Sequence, residues 1–178
     1  ALDAFDVPCI GGNVSVYNES RGQDIDPTPI VGVLGMVDRL DNRPPGVRLV
    51  DGGRLLLVGE TVPELSGSQW AADRGHRGRG TLPTLDLDAV ASVAGVVREL
   101  VGAGRVLGAH DVSRGGVALA LAEMAVRSGV GFSVARMADH AALFSESSGR
   151  ALLCVAPDQL RAVLDVLEAN GVPNSRIG

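Results

Sequence analysis

Three short stretches of this 178-residue chain concentrate side chains that can do chemistry. Each follows an apolar run and bends at or next to glycine: residues 11–19, 110–116 and 145–149. A backbone that turns sharply at glycine can aim several N–H groups at one anion. In the first stretch Gly11 and Gly12 allow close approach to the backbone. Asn13 offers an amide oxygen to a metal, and Ser15 offers a hydroxyl to a phosphate or a sugar. In the second, Asp111 is a hard oxygen ligand suited to Mg²⁺ and Ser113 can donate to phosphate. Gly115 and Gly116 open a helix whose N-terminus favours negative charge. The third places Glu146 between Ser145 and Ser147. Bland readings stand beside these. Asp111 and Ser113 suit helix caps, Glu146 a solvated loop carboxylate, and His110 either a partly buried polar residue or a base. His76, Arg77 and Arg79 read as a surface loop or a phosphate contact.

Composition narrows the field. The formal net charge is −5, against the basic face of a general nucleic-acid binder. All 16 basic residues are arginine, so the lysine-dependent G-x-x-x-x-G-K-[ST] phosphate loop is impossible. G-x-G-x-x-G is also missing. Apolar residues make up 46% of the chain and aromatic ones 3%, which predicts a core of Val, Leu, Ala and Ile. Cys9 and Cys154 both lie in apolar runs and read as buried, reduced thiols rather than zinc ligands. No apolar run approaches the ~18 residues of a membrane span, and no signal peptide is legible, so the expected location is cytoplasmic. The chain reads as a piece of something longer.

The elements that must position these stretches follow from periodicity. Residues 1–7 read as a helix end, 27–37 as a strand opened by prolines, and 38–46 as a turn-rich break. "RLLLVGE" (54–60) is a continuous apolar run of the kind found in strands covered on both faces. Residues 64–84 read as loop. Leu87, Val90, Ala94, Val97 and Val101 fall on one helical face behind the N-cap candidate Asp86, and Gly102 and Gly104 end that helix. Helices are predicted over 117–129 and 158–169, the latter with Leu160, Val163, Leu164 and Leu167 inward. Residues 130–135 and 150–156 read as strands, with loop at 143–149. The expected fold class is α/β (α+β), a mixed sheet with helices on one face.

In order along the chain, "GGNVSVYNES…IDPTPIVGVLGMV", "GSQW", "AHDVSRGGVALALAEMA" and "LFSESSGRALLCV" resemble the large, ATP-dependent subunit of phosphoribosylformylglycinamidine synthases. The resemblance implies two synthetase-like pieces. Residues 1–45 would end a second N-terminal-type domain. Residues 46–178 would form an aminoimidazole-ribonucleotide-synthetase-like C-terminal domain, truncated at its end. It also implies a C–N ligase of purine biosynthesis that uses ATP and Mg²⁺ to convert formylglycinamide ribonucleotide into its amidine. Ammonia would come from a separate glutaminase subunit, with a small accessory subunit as a further partner. By that resemblance Gly12 approaches ATP, Asn13 ligates Mg²⁺ and Ser15 contacts the ribonucleotide. Asp111, Ser113 and Glu146 would belong to an auxiliary nucleotide or metal site. No catalytic residue is carried over, and no nucleic acid or membrane partner is implied. The family's second turn usually reads DVSDGG, whereas here Arg114 replaces the acid. That predicts an arginine paired with Asp111 or a phosphate in place of a metal, the alternative being an unused site with Arg114 pointing into solvent. Other readings are a different superfamily member, of the aminoimidazole ribonucleotide synthetase, selenophosphate synthetase or thiamine-monophosphate kinase type, or an inert scaffold when isolated.

Overall fold

A computed structural model describes residues 2–26, 28–37, 39, 43–76, 80–82, 84–135 and 137–178. It divides into two compact units, Ala1–Leu40 and Asp41–Gly178.

The first unit holds little regular structure. A single 3-10 turn spans Asp3–Phe5. Strands β1 (Glu19–Ser20) and β2 (Gln23–Asp24) pair antiparallel. They are joined by Arg21 and Gly22, both at positive φ, 56° and 74°, which is what a two-residue hairpin turn of matching twist requires. The strand expected over 27–37 does not form among residues 28–37, and Pro27 lies outside the described residues. A strand exists by pairing, and Ile30, Leu34 and Met36 are exposed, with no strand paired to them among the described residues. Cys9, expected to be buried, is exposed as well, whereas Cys154 is buried as expected.

The second unit is built on a sheet of β3 (Arg54–Val58), β4 (Gly108–Asp111), β5 (Ala151–Val155) and β6 (Asn174–Arg176), in the order β4-β5-β3-β6. The helices are α1 (Gln69–Asp73), α2 (Leu87–Gly102), α3 (Gly116–Ser128), α4 (His140–Phe144) and α5 (Leu160–Ala169). The class is the expected one, but the strand directions are not. All three pairings are antiparallel, with Leu56 opposite Leu153 and Asp111 opposite Ala151.

Helices cover both faces of the sheet rather than one. Leu55, Leu57, Leu152 and Cys154 join the α3 residues Val117, Leu121 and Met124 in one core. Leu56, Val58, Leu153 and Val155 join Val93, Val96 and Leu100 of α2 and Val163 and Leu167 of α5 in a second. The cause is written in β3 and β5. Their apolar residues do not alternate with polar ones, so each strand has two faces to remove from water. Burying each leucine contributes about 1.5–3 kcal/mol.

Several local expectations shift. The stripe of α2 that enters the core is Val93, Val96 and Leu100, one step round the helix from the predicted face. Residues 130–135 are not a strand; among the described residues the segment is tied by Ala135 N–H to the Ile177 carbonyl at 3.0 Å. Helix α1 arises in a stretch read as loop, and α4 runs from residues given no reading into the 143–149 loop. Each is capped at its start, α1 by the Ser68 hydroxyl on Ala71 N–H and α4 by the Asp139 carboxylate on Ala142 N–H. Arg77 and Arg79 of the predicted surface loop, and Asp38 and residues 40–42 of the predicted break, lie outside the described residues.

Candidate functional site

Two of the three polar turns meet at the edge of the sheet. Strand β4 ends at Asp111, and residues 112–115 lead into α3. The 145–149 loop runs from α4 towards β5, the neighbour of β4. The turns are joined by Glu146. Its Oε1 accepts the Gly115 N–H at 2.8 Å and the Gln69 N–H at 2.7 Å. One carboxylate oxygen therefore serves the starts of both α1 and α3, where unpaired N–H groups and the helix dipoles favour negative charge. Gly115 has φ +78° and Gly116 φ +65°. A Cβ at Gly116 would lie 2.5 Å from the Ser145 carbonyl oxygen and 2.6 Å from that of Leu143. Glycine is needed here for both conformation and space.

The joined turns border a cavity of about 620 Å³, whose wall includes Asp111, Ser113, Arg114, Glu146 and Arg150, with Val90, Ala94 and Val97 of α2. The predicted auxiliary residues Asp111, Ser113 and Glu146 are thus brought together. Part of the helical face predicted to enter the core, Val90, Ala94 and Val97, lines the cavity, while Val97 and Val101 also pack against the core. Partial burial works against the Asp111 charge. The Ser113 hydroxyl and His110 outweigh it, and the carboxyl sits below its ordinary range. His110 spans two carboxylates, with Nδ1 3.0 Å from Asp111 Oδ1 and Nε2 2.9 Å from Glu123 Oε2.

Two arginines on this wall are held by neutral oxygens. Arg114 is exposed and donates to Gln69, not to Asp111, one of the partners expected for it. Its Nε donates to Gln69 Oε1 at 2.8 Å, and its Nη2 donates to the same oxygen. Gln69 is itself fixed through its Nε2 on Asp73 Oδ1. Arg150 is 4% exposed. It donates to the Ser147 carbonyl at 3.2 Å, the Ser145 carbonyl at 2.7 Å and Thr61 Oγ1 at 3.0 Å. Burial lowers its pKa to about 10. Beside it, Ser145 Oγ is buried with no hydrogen-bond partner among the described residues.

Gly12, Asn13 and Ser15 lie in the first unit, exposed and outside regular secondary structure. Ser15 Oγ accepts the Tyr17 N–H at 3.4 Å, and a Cβ at Gly12 would meet nothing within 4 Å. Sequence reasoning missed Gln69 and Arg150 as site residues. Gln69 directly follows the N-cap Ser68, and Arg150 is a lone charge opening the apolar run "ALLCV". Neither signal says what the side chain reaches.

A helix-covered antiparallel sheet with glycine turns at one edge defines a class. Residues 50–178 match the family described as AIR synthase related protein, C-terminal domain, and the chain belongs to that family. Within it, relatives of high identity include PurL subunits. Phosphoribosylformylglycinamidine synthase subunit PurL of Thermobifida fusca is 43% identical over 182 aligned residues, covering 100% of this chain and 24% of that protein. The same subunit from Moorella thermoacetica is 41% identical, covering 100% and 25%. The chain therefore spans about a quarter of the length of the curated relatives it matches. Among solved structures, Thermotoga maritima PurL complexed with FGAR shares the fold at TM-score 0.59 and 19% identity, covering 73% of this chain and 24% of that one. PurLQS from the same organism does so at TM-score 0.58 and 18% identity, covering 74% and 23%.

Proposed function

We propose that this chain serves as part of a phosphoribosylformylglycinamidine synthase, a C–N ligase of purine biosynthesis. In it, ATP would activate the amide oxygen of formylglycinamide ribonucleotide, and ammonia would then displace phosphate. The observation that carries the reading is the 43% identity to a PurL subunit over the whole chain, both units included. Thermotoga maritima PurL has been solved complexed with ATP and with FGAR, which supports the two ligands. The PurLQS assembly supports a complex with partner subunits, of which a glutaminase and a small accessory protein are the proposed ones. The PurL name of the relatives favours this reading over the other superfamily chemistries and over a scaffold. No helix among the described residues is long and apolar enough to cross a membrane, in keeping with a proposed cytoplasmic site of action.

The roles proposed for this chain's residues are those the family resemblance implies, and they suit the residues' chemistry. Gly12, without a side chain, lets the nucleotide approach the backbone. Ser15 donates its hydroxyl to the ribonucleotide. Asn13 fits Mg²⁺ in type, an exposed hard oxygen donor, and would supply one position of an octahedral oxygen shell. The ion, when bound, neutralises triphosphate charge. Among the described residues no group of three His, Cys, Asp or Glu could hold a metal, so Asn13 would be a contributing ligand rather than the site. In the longer subunit carrying this segment, Asn13→Ala should lower ATP- and ammonia-dependent turnover at least tenfold, about 1.4 kcal/mol of transition-state stabilisation. The fold should be unchanged by circular dichroism. Full turnover at limiting Mg²⁺ would remove Asn13 from the ligand set.

A further inference from the structure

We propose that the recess walled by Arg43, Arg48 and Arg127 binds a small oxyanion carrying two or more negative charges, at the end of α3 remote from its glycine turn. The site is separate from the proposed ligase chemistry and does not depend on it.

The first ground is a convergence of charge. The recess holds about 590 Å³, and its wall is the three arginines with the short segment from Pro44 to Val47. Among the described residues no acid lines it. All three arginines are exposed, and among the described residues none of them pairs with a carboxylate. The chain as a whole is acidic, with 21 Asp and Glu against 16 arginines, so three arginines sharing one recess without an acid run against its composition. Like charges held this way repel, and an anion between them replaces repulsion by attraction. Arg127 also stands in the last turn of α3, where a cation offsets the helix dipole. That explains one of the three and leaves Arg43 and Arg48.

The second ground is that the recess has a fixed frame. Pro44 and Pro45 lock their own φ angles. The Gly46 carbonyl accepts the Ala109 N–H at 3.1 Å, and Arg48 Nε donates to the Leu107 carbonyl at 2.8 Å, so the segment is bonded along β4. Leu49 N–H donates to Ser128 Oγ at 3.1 Å, and that hydroxyl donates to the Met124 carbonyl at 2.6 Å, which ties the end of α3 to the same segment. Anchoring through Nε leaves both terminal amino groups of Arg48 unbonded, and the Arg43 and Arg127 side chains make no hydrogen bond among the described residues. Unspent donors on a fixed frame lose less freedom when a ligand arrives.

The ligand class follows from the donors. Guanidinium forks match the oxygens of carboxylates and phosphates. Three forks offer more donors than one carboxylate can take, which selects a ligand with at least two anionic groups. Polyphosphates and polycarboxylates share that chemistry. A nucleic-acid strand does not suit a chain of net charge −5. Roughly 17 Å of helix separates Arg127 from Gly116, so the recess is distinct from the cavity beside Asp111.

The test is a calorimetric titration of this chain in EDTA with pyrophosphate and with citrate, at low and at high salt. Both probes should bind, and more weakly at high salt. Arg43→Gln and Arg127→Gln should each weaken binding at least about threefold, the scale of one exposed ion pair. Both side chains are exposed and unbonded, so matching circular dichroism is expected for the two variants. Arg161→Gln is the charge control. It removes the same charge from α5, where Arg161 pairs with Asp165 at 2.7 Å, and should change binding by less than about threefold. Tighter binding of pyrophosphate identifies a polyphosphate ligand and tighter binding of citrate a polycarboxylate, while equal binding shows that the shared charge is what is read; all three support the site. No binding of either probe, a smaller loss in Arg43→Gln or in Arg127→Gln, or an equal loss in Arg161→Gln overturns the proposal.

Discussion

Removing the Glu146 side chain should uncouple two helices at once. In the parent, its Oε1 is 2.7 Å from Gln69 N and 2.8 Å from Gly115 N. Glu146→Ala leaves both N–H groups without an acceptor at the starts of α1 and α3. A hydrogen bond to a charged group contributes about 1.5–3 kcal/mol, and losing a helix cap costs about 1 kcal/mol. Because one oxygen serves both donors, the two losses do not add in full, and the expected cost is about 2–4 kcal/mol. For a chain of this size each kcal/mol moves the melting temperature by roughly 2–4 °C, so the variant should melt about 4–16 °C lower. Glu146→Gln keeps an acceptor oxygen but no charge, and should lose about half as much. Differential scanning calorimetry at neutral pH reads the shift. Amide exchange at Gln69 and Gly115 should accelerate in the alanine variant. If Glu146→Ala melts within about 1 °C of the parent with both amides still protected, the carboxylate is not what holds the two helix starts.

Two further outcomes follow from the same edge of the sheet. Gly116→Ala puts a Cβ within 2.6 Å of two carbonyl oxygens at φ +65°; left-handed strain and overpacking together should cost about 2–5 kcal/mol, and an unchanged urea midpoint would show that the α3–α4 contact yields easily. The Asp111 carboxyl should titrate below its ordinary value of 3.8 by carbon-detected NMR. A lowered folded pKa means its stabilisation is present above the ordinary value and lost as pH falls through the folded one. With 73% of its side chain exposed, that contribution should stay under ~1 kcal/mol; titration at or above 3.8 refutes the Ser113 and His110 contacts.

What the sequence by itself determined are the features set by neighbours along the chain. The unbroken apolar runs of β3 and β5 announce strands buried on two faces. Asp86 marks the start of α2, where its carboxylate accepts the Ala89 N–H at 2.9 Å, and Gly129 at φ +66° ends α3. Ordered motifs were enough to indicate the family, because family membership is itself a property of residue order. Short capped helices such as α1 and α4 escaped, since five residues carry too little periodicity to outweigh loop-like composition. The exposed apolar stretch after residue 27 shows the converse, that strand-forming residues do not make a strand without a partner to pair with. Only the tertiary structure decided the site. Glu146 reaches Gly115 across 31 residues and Gln69 across 77, and Arg150 reaches Thr61 across 89. At such separations residue type specifies what a group can bond but not what it meets. Packing α3 on one face of the sheet and α2 on the other chose the partners, placing the Glu146 carboxylate between two helix starts and the buried Arg150 in the cavity wall.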